Sequence, residues 1–130
     1  ENPIDASYVK EMADAVSTLD MVAVCRKYAE RWEAEIDGGM EKLLSLATDD
    51  REVYRKEQED WETGRDANLA AIDEQAGAGG SLSQLNAASE RMDFFRTRAN
   101  QILRELYSYD PSFTYVYEDG GASGEVSAAG

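Results

Sequence analysis

The chain contains no histidine and a single cysteine, Cys25. Without histidine there is no imidazole to ligate a metal, to act as general base, or to activate a serine or cysteine nucleophile. A di-iron helical bundle built on Glu-x-x-His motifs is excluded on the same ground. One cysteine allows no internal disulfide and no cysteine cluster. At an apolar helix position it reads as a small buried hydrophobe. No apolar run approaches the roughly 20 residues of a membrane span, and no charged start followed by an apolar stretch marks a leader. Glu1 is not an initiator, so a trimmed or mature chain is the expectation, in which a removed signal peptide or lipid anchor would leave no trace.

Cations are also scarce. Thirteen lysines and arginines face 27 aspartates and glutamates, giving a net charge of −14 and a pI near 4.3. The acid lies in the first two-thirds of the chain and at the C-terminus, whereas residues 81–110 are neutral. Such a surface repels nucleic-acid phosphates and anionic lipid, which sets both aside as partners. It attracts a basic protein, and it also serves plain solubility.

What remains is helical. A length of 130 residues suits one domain with a modest core, and two prolines leave long stretches uninterrupted. Tyr8, Met12, Ala15, Val16 and Leu19 recur at steps of three and four, one face of a helix that Asp5 could cap, with a break near Thr18–Asp20. Val22, Cys25, Ala29, Trp32, Ile36, Met40, Leu43 and Ala47 continue the same spacing. Gly38-Gly39 interrupts it and marks either a kink or a close approach of another chain segment. Asp49 with Glu52 resembles a capping box opening a second long helix, whose stripe is Tyr54, Gln58, Trp61, Arg65, Leu69, Ile72 and Ala76. After a glycine-rich loop, Ser81 with Gln84 resembles another box, and Leu85, Ala88, Met92, Phe95, Ala99, Ile102, Leu106 and Tyr109 form the third stripe. The expected fold is all-α: three long antiparallel helices, up-down-up, with an extra N-terminal helical segment. The domain is expected to span 1–111. Residues 112–130 are expected to form a flexible, partly disordered acidic tail, whose β-prone start, Phe113–Tyr117, either packs on the bundle or serves as an interaction strand.

Hairpin geometry gives levels. A turn near residues 48–49 sets Ile36 level with Trp61 and Trp32 level with Arg65. A turn near residue 78 sets Trp61 level with Phe95. A central layer of Ile36, Trp61 and Phe95 is therefore expected, with the Arg65 guanidinium near the Trp32 ring.

Few constellations carry chemistry. Glu57, Glu59, Asp60 and Glu62 form a dense carboxylate cluster. Two-carboxylate hydrolysis needs a cleft that holds the pair in distinct environments, and a slender bundle is not expected to offer one. The cluster reads first as a solvated face and second as an acidic face for a protein partner. Gly77–Gly80 precedes a helix but lacks the lysine and strand of a phosphate loop. No enzyme activity, metal or cofactor is implied. Gln58 and Arg65, polar residues on an inner stripe, must be satisfied within the bundle or lie at its rim.

The stretch Glu57-Gln58-Glu59-Asp60-Trp61-Glu62-Thr63-Gly64-Arg65-Asp66 resembles the signature of the LprI lysozyme-inhibitor family of secreted bacterial domains. That signature runs alanine-glutamine, two residues, tryptophan, three residues, arginine-aspartate. Gly79-Gly80-Ser81 matches the family's glycine-rich loop, and Arg98 a later arginine. Glu33–Met40 echoes an earlier motif in which Glu35 alone is identical. The resemblance covers about Cys25 to Leu106. Leu69 stands where the family commonly has a cysteine, and the third helix has none, so the family's inter-helix disulfide is absent. The resemblance implies an extracytoplasmic, helical, non-enzymatic domain that binds a lysozyme-like, basic muramidase through an acidic face or a loop. Gln58, Trp61, Arg65 and Asp66 then read as architectural, and the contact as either the acidic face of Glu57, Glu59, Asp60 and Glu62 or the loop Gly77–Gly80. The rival expectation is an envelope interaction module with no enzyme target.

Overall fold

The computed structural model describes residues 2–112. It holds four α-helices and no strand among the described residues: α1 (Pro3–Asp14), α2 (Thr18–Leu46), α3 (Arg51–Gly77) and α4 (Ser81–Tyr109), with a 3-10 turn at Thr48–Asp50 before α3. The three long helices are the three expected, and α1 is the N-terminal extra. The expectations for Phe113–Tyr117 and the acidic tail lie outside the described residues.

Helices α2 and α4 run parallel. Val22 and Cys25 cluster with Leu85 and Ala88, Trp32 lies beside Arg96, and Gly39 lies beside Ile102 and Leu106, so both chains advance together. This seam is the core. Trp32, Ile36, Leu43, Phe95, Ala99, Ile102 and Leu106 are all 2% exposed or less. Full burial of each large apolar side chain contributes about 1.5–3 kcal/mol. Gly39 answers the question raised by Gly38-Gly39. A methyl group there would come within 3.0 Å of Ile102 Cγ2, so the glycine marks a close approach, while α2 continues through it as regular helix.

Helix α3 runs antiparallel along α4. Its level with α4 follows the expected turn: Trp61 lies against Phe95, with ring centroids 6.2 Å apart. Its depth does not. Gln58 is its one buried residue, and Trp61 and Leu69 are only partly buried against the core. The expected layer centred on Trp61 is thus a seam centred on α2 and α4, with Trp61 at its edge. The cause is compositional. A stripe that carries Gln58 and Arg65 buries less apolar area than the uninterrupted stripes of its neighbours.

Helix α1 antiparallels α2, with Ile4 fully buried. Its cap is Asn2, whose side chain accepts from the amides of Ile4 and Asp5, and not Asp5. Asp5 instead receives Arg96 in a two-pronged pair of 2.9 and 2.8 Å. The break falls at residues 15–17. Ser17 Oγ accepts from the Asp20 amide, and Asp20 in return accepts from the Val16 amide. Val16 and Leu19, expected on the inner face, are 90% and 65% exposed because the chain turns there. The two expected capping boxes are not formed. The cap of α3 is Asp50 and that of α4 is Gly80, neither with a side-chain cap bond.

Candidate functional site

Gln58, Trp61 and Arg65 occupy successive turns of α3, so helical spacing places them on one side. The structure adds Arg98 from α4. Burial pulls the Arg98 guanidinium below its ordinary value, while the charges of Glu57 and Glu62 oppose that shift. Gln58 Oε1 accepts from both Nε (3.0 Å) and Nη2 (2.6 Å) of Arg98, and Gln101 Oε1 accepts from Nη1 at 3.2 Å. Two amide oxygens thus meet a buried cation that has no ion pair among the described residues. Hydrogen bonds to a charged donor are worth about 1.5–3 kcal/mol each, which offsets much of the burial cost.

Trp61 completes the assembly. Its ring stacks on Phe94 at 5.5 Å and 18°, and the guanidiniums of Arg65 and Arg98 lie 5.6 and 5.8 Å from its centroid. The expected contact of Arg65 with Trp32 is therefore not made. Arg65 covers the tryptophan of its own helix, and Arg96 takes the place over Trp32 at 5.7 Å. Hairpin levels set height correctly, but α3 leans on α4 and leaves α2. Asp66 is exposed, 3.4 Å from Arg65 Nε.

The sequence signalled Gln58 without its partner. A buried glutamine requires one, and Arg98 lies level with it across the turn at residue 78. Both facts were legible before any coordinate.

Glu57, Glu59, Asp60 and Glu62 are all exposed. At about 100° per residue they spread around α3 rather than gather on one face. Asp60 is held by Lys56 at 2.6 Å, and Glu62 accepts from Gln58 Nε2 at 3.2 Å. Glu57 turns into a groove of about 200 Å³ that also involves Tyr54, Arg98, Arg104 and Glu105. A second groove of about 300 Å³ lies beside Trp61, Phe94 and Thr97. The cleft-free surface expected of a slender bundle is thus corrected to one with small open grooves. Glu57 and Glu105 share the first, yet both are exposed, and nothing there sets two carboxylates in contrasting environments as acid and base require. Among the described residues no group of His, Cys, Asp and Glu side chains is arranged to hold a metal ion, and no helix is long and apolar enough to cross a membrane.

These features define a class: an all-α bundle in which a glutamine–arginine–tryptophan anchor pins one half-exposed helix to a two-helix core. The chain belongs to the lysozyme inhibitor LprI family, whose pattern matches residues 10–102. Neither curated proteins nor solved structures give a significant match. The matched region takes in the anchor, the glycine loop and all of α2 and α3.

Proposed function

We infer that this chain is an extracytoplasmic binding domain that blocks a lysozyme-like muramidase through its acidic surface. The family match over residues 10–102 is the observation that carries the reading. The net charge of −14 supports it, since a basic enzyme is drawn to such a surface and its encounter is accelerated. The role is steric and electrostatic. The bundle supplies a rigid, preorganised face, so little ordering entropy opposes binding. The anchor residues Gln58, Trp61, Arg65 and Arg98 hold α3 in register rather than touch the enzyme, because Gln58 and Arg98 bond one another and the Arg65 and Arg98 guanidiniums lie over the Trp61 ring. The acidic residues Glu57, Glu59, Asp60 and Glu62 contribute to the field that draws the enzyme in.

The test is the clearing of a cell-wall suspension by a basic lysozyme with the chain added at low and at physiological salt. Stoichiometric inhibition that survives physiological salt is expected. Inhibition confined to low salt would reduce the effect to nonspecific charge pairing. No inhibition at either would leave an envelope interaction module with another partner.

A further inference from the structure

We propose that the end of the bundle formed by the α1–α2 turn and the α3–α4 loop is the docking surface for the basic partner; this rests on the inhibitor reading and specifies its contact site. Helices α1 and α3 finish where α2 and α4 begin, so the turn at residues 15–17 and the loop at residues 78–80 lie at one end. Val22, Cys25 and Ala88, with Met12 and Leu85 against them, close the core there. One turn further out the apolar pattern continues into solvent. Val16 is 90% exposed, Leu19 65% and Leu82 67%. Val9 and Val53, elsewhere on the bundle, are exposed as well, so it is these three side chains together with the charge around them that single out this end.

Charge selects the occupant. The stretches that build this end, residues 12–25 and 66–90, carry Asp14, Asp20, Asp66, Asp73, Glu74 and Glu90, all exposed, and no lysine or arginine. The nearest cations, Arg26, Arg65 and Arg91, mark its lower boundary, where Arg65 pairs with Asp66 and the other two share a groove with Glu30, Glu33 and Asp73. The outer part of α3 differs. There Arg51, Arg55, Lys56 and Arg65 alternate with the acids, and Arg55 and Lys56 are paired with Glu52 and Asp60. A second copy of this end would meet like charge, and so would an anionic membrane. A basic protein whose cationic rim surrounds an apolar cleft meets both features at once. Its rim pairs with the acids while Leu19 and Leu82 enter the cleft, an apolar centre within a polar border. Gly77 and Gly80 carry no side chain there and have open space where one would stand, which keeps the tip narrow.

The experiment is titration calorimetry of the full chain with a basic animal-type lysozyme at physiological salt. Leu19→Ser with Leu82→Ser is expected to weaken binding about tenfold or more, as the loss of central apolar contacts does. Helicity and melting midpoint should stay at the parent values, since both side chains already stand in water. Glu57→Gln with Glu59→Gln, on the opposite part of α3, is expected to change affinity less than about threefold. Parent affinity in the leucine variant, or a loss confined to the α3 variant, would overturn this docking surface and leave the inhibitor reading standing. A parent chain that neither binds nor inhibits would overturn both.

Discussion

Helix α4 has two long neighbours, and the two seams are built on different principles. Against α2 it packs alanine, glycine and large apolar side chains, and α2 buries ten residues, all but Glu35 of them uncharged. Against α3 it meets a helix with one buried residue, Gln58, and is held by a ring stack, a pair of guanidiniums and hydrogen bonds. The first seam is strong because of its area. The second is specific because of its chemistry. A half-exposed helix can slide or roll at little apolar cost, so its register depends on directional contacts. Gln58, Trp61 and Arg65, the residues that resemble the family signature, all lie on this second seam.

The comparison can be broken at either seam. Leu106→Ala, at 0% exposure in the α2–α4 seam, should cost about 2–5 kcal/mol in a urea melt. Trp61→Ala should cost less, because its ring is only partly buried. Equal costs would erase the distinction between the seams. Next in size is Gln58→Ala, which leaves the Arg98 guanidinium buried without its main acceptor and should cost about 1–3 kcal/mol. Adding Arg98→Met to Gln58→Leu should recover part of that loss in a double-mutant cycle. Simple additivity would show that the two do not act as a unit.

The clip of α1 to α2, in which the Glu11 carboxylate accepts from Lys27 Nζ and Tyr28 OH, is smaller in effect and depends on pH. Burial pushes the Glu11 carboxyl up, but hydrogen bonds from Lys27 and Tyr28 outweigh it and leave the group below its ordinary value of 4.5. A lowered folded value means stability that is present at neutral pH and lost as pH falls below about 4.5 through the folded value. Glu11→Gln should therefore flatten the acid limb of the melting curve between neutral pH and pH 3. An unchanged limb would show that the clip adds nothing. Least of all, Lys56→Ala breaks a fully exposed pair with Asp60 and should leave the midpoint unmoved.

Much of this fold was legible. Steps of three and four located all three long helices, and the turn at residue 78 set Trp61 level with Phe95. Caps are less legible, because Asp5, Asp49 and Ser81 have the right side chains but stand beside the cap positions rather than at them. The depth of α3 is not legible, since periodicity reports which residues share a face and not how much of that face is covered. The Asp5–Arg96 and Glu11–Lys27 pairs join distant parts of the chain and leave no local trace. The exposed tip was hidden too, because Val16 and Leu19 extend the inner stripe and only the turn at Ser17 carries them into water.

Cys25 has a practical consequence. It is 1% exposed beneath α1, beside Tyr8, and burial pushes its thiol above the ordinary value. A thiol reagent can reach it only when this cover, α1 on one side and Leu85 and Ala88 of α4 on the other, opens. Where reclosing is fast, the rate of modification relative to a free thiol gives the opening equilibrium of that end of the bundle. The solitary thiol thus works as a built-in clock for the opening of its surroundings, running without any added label.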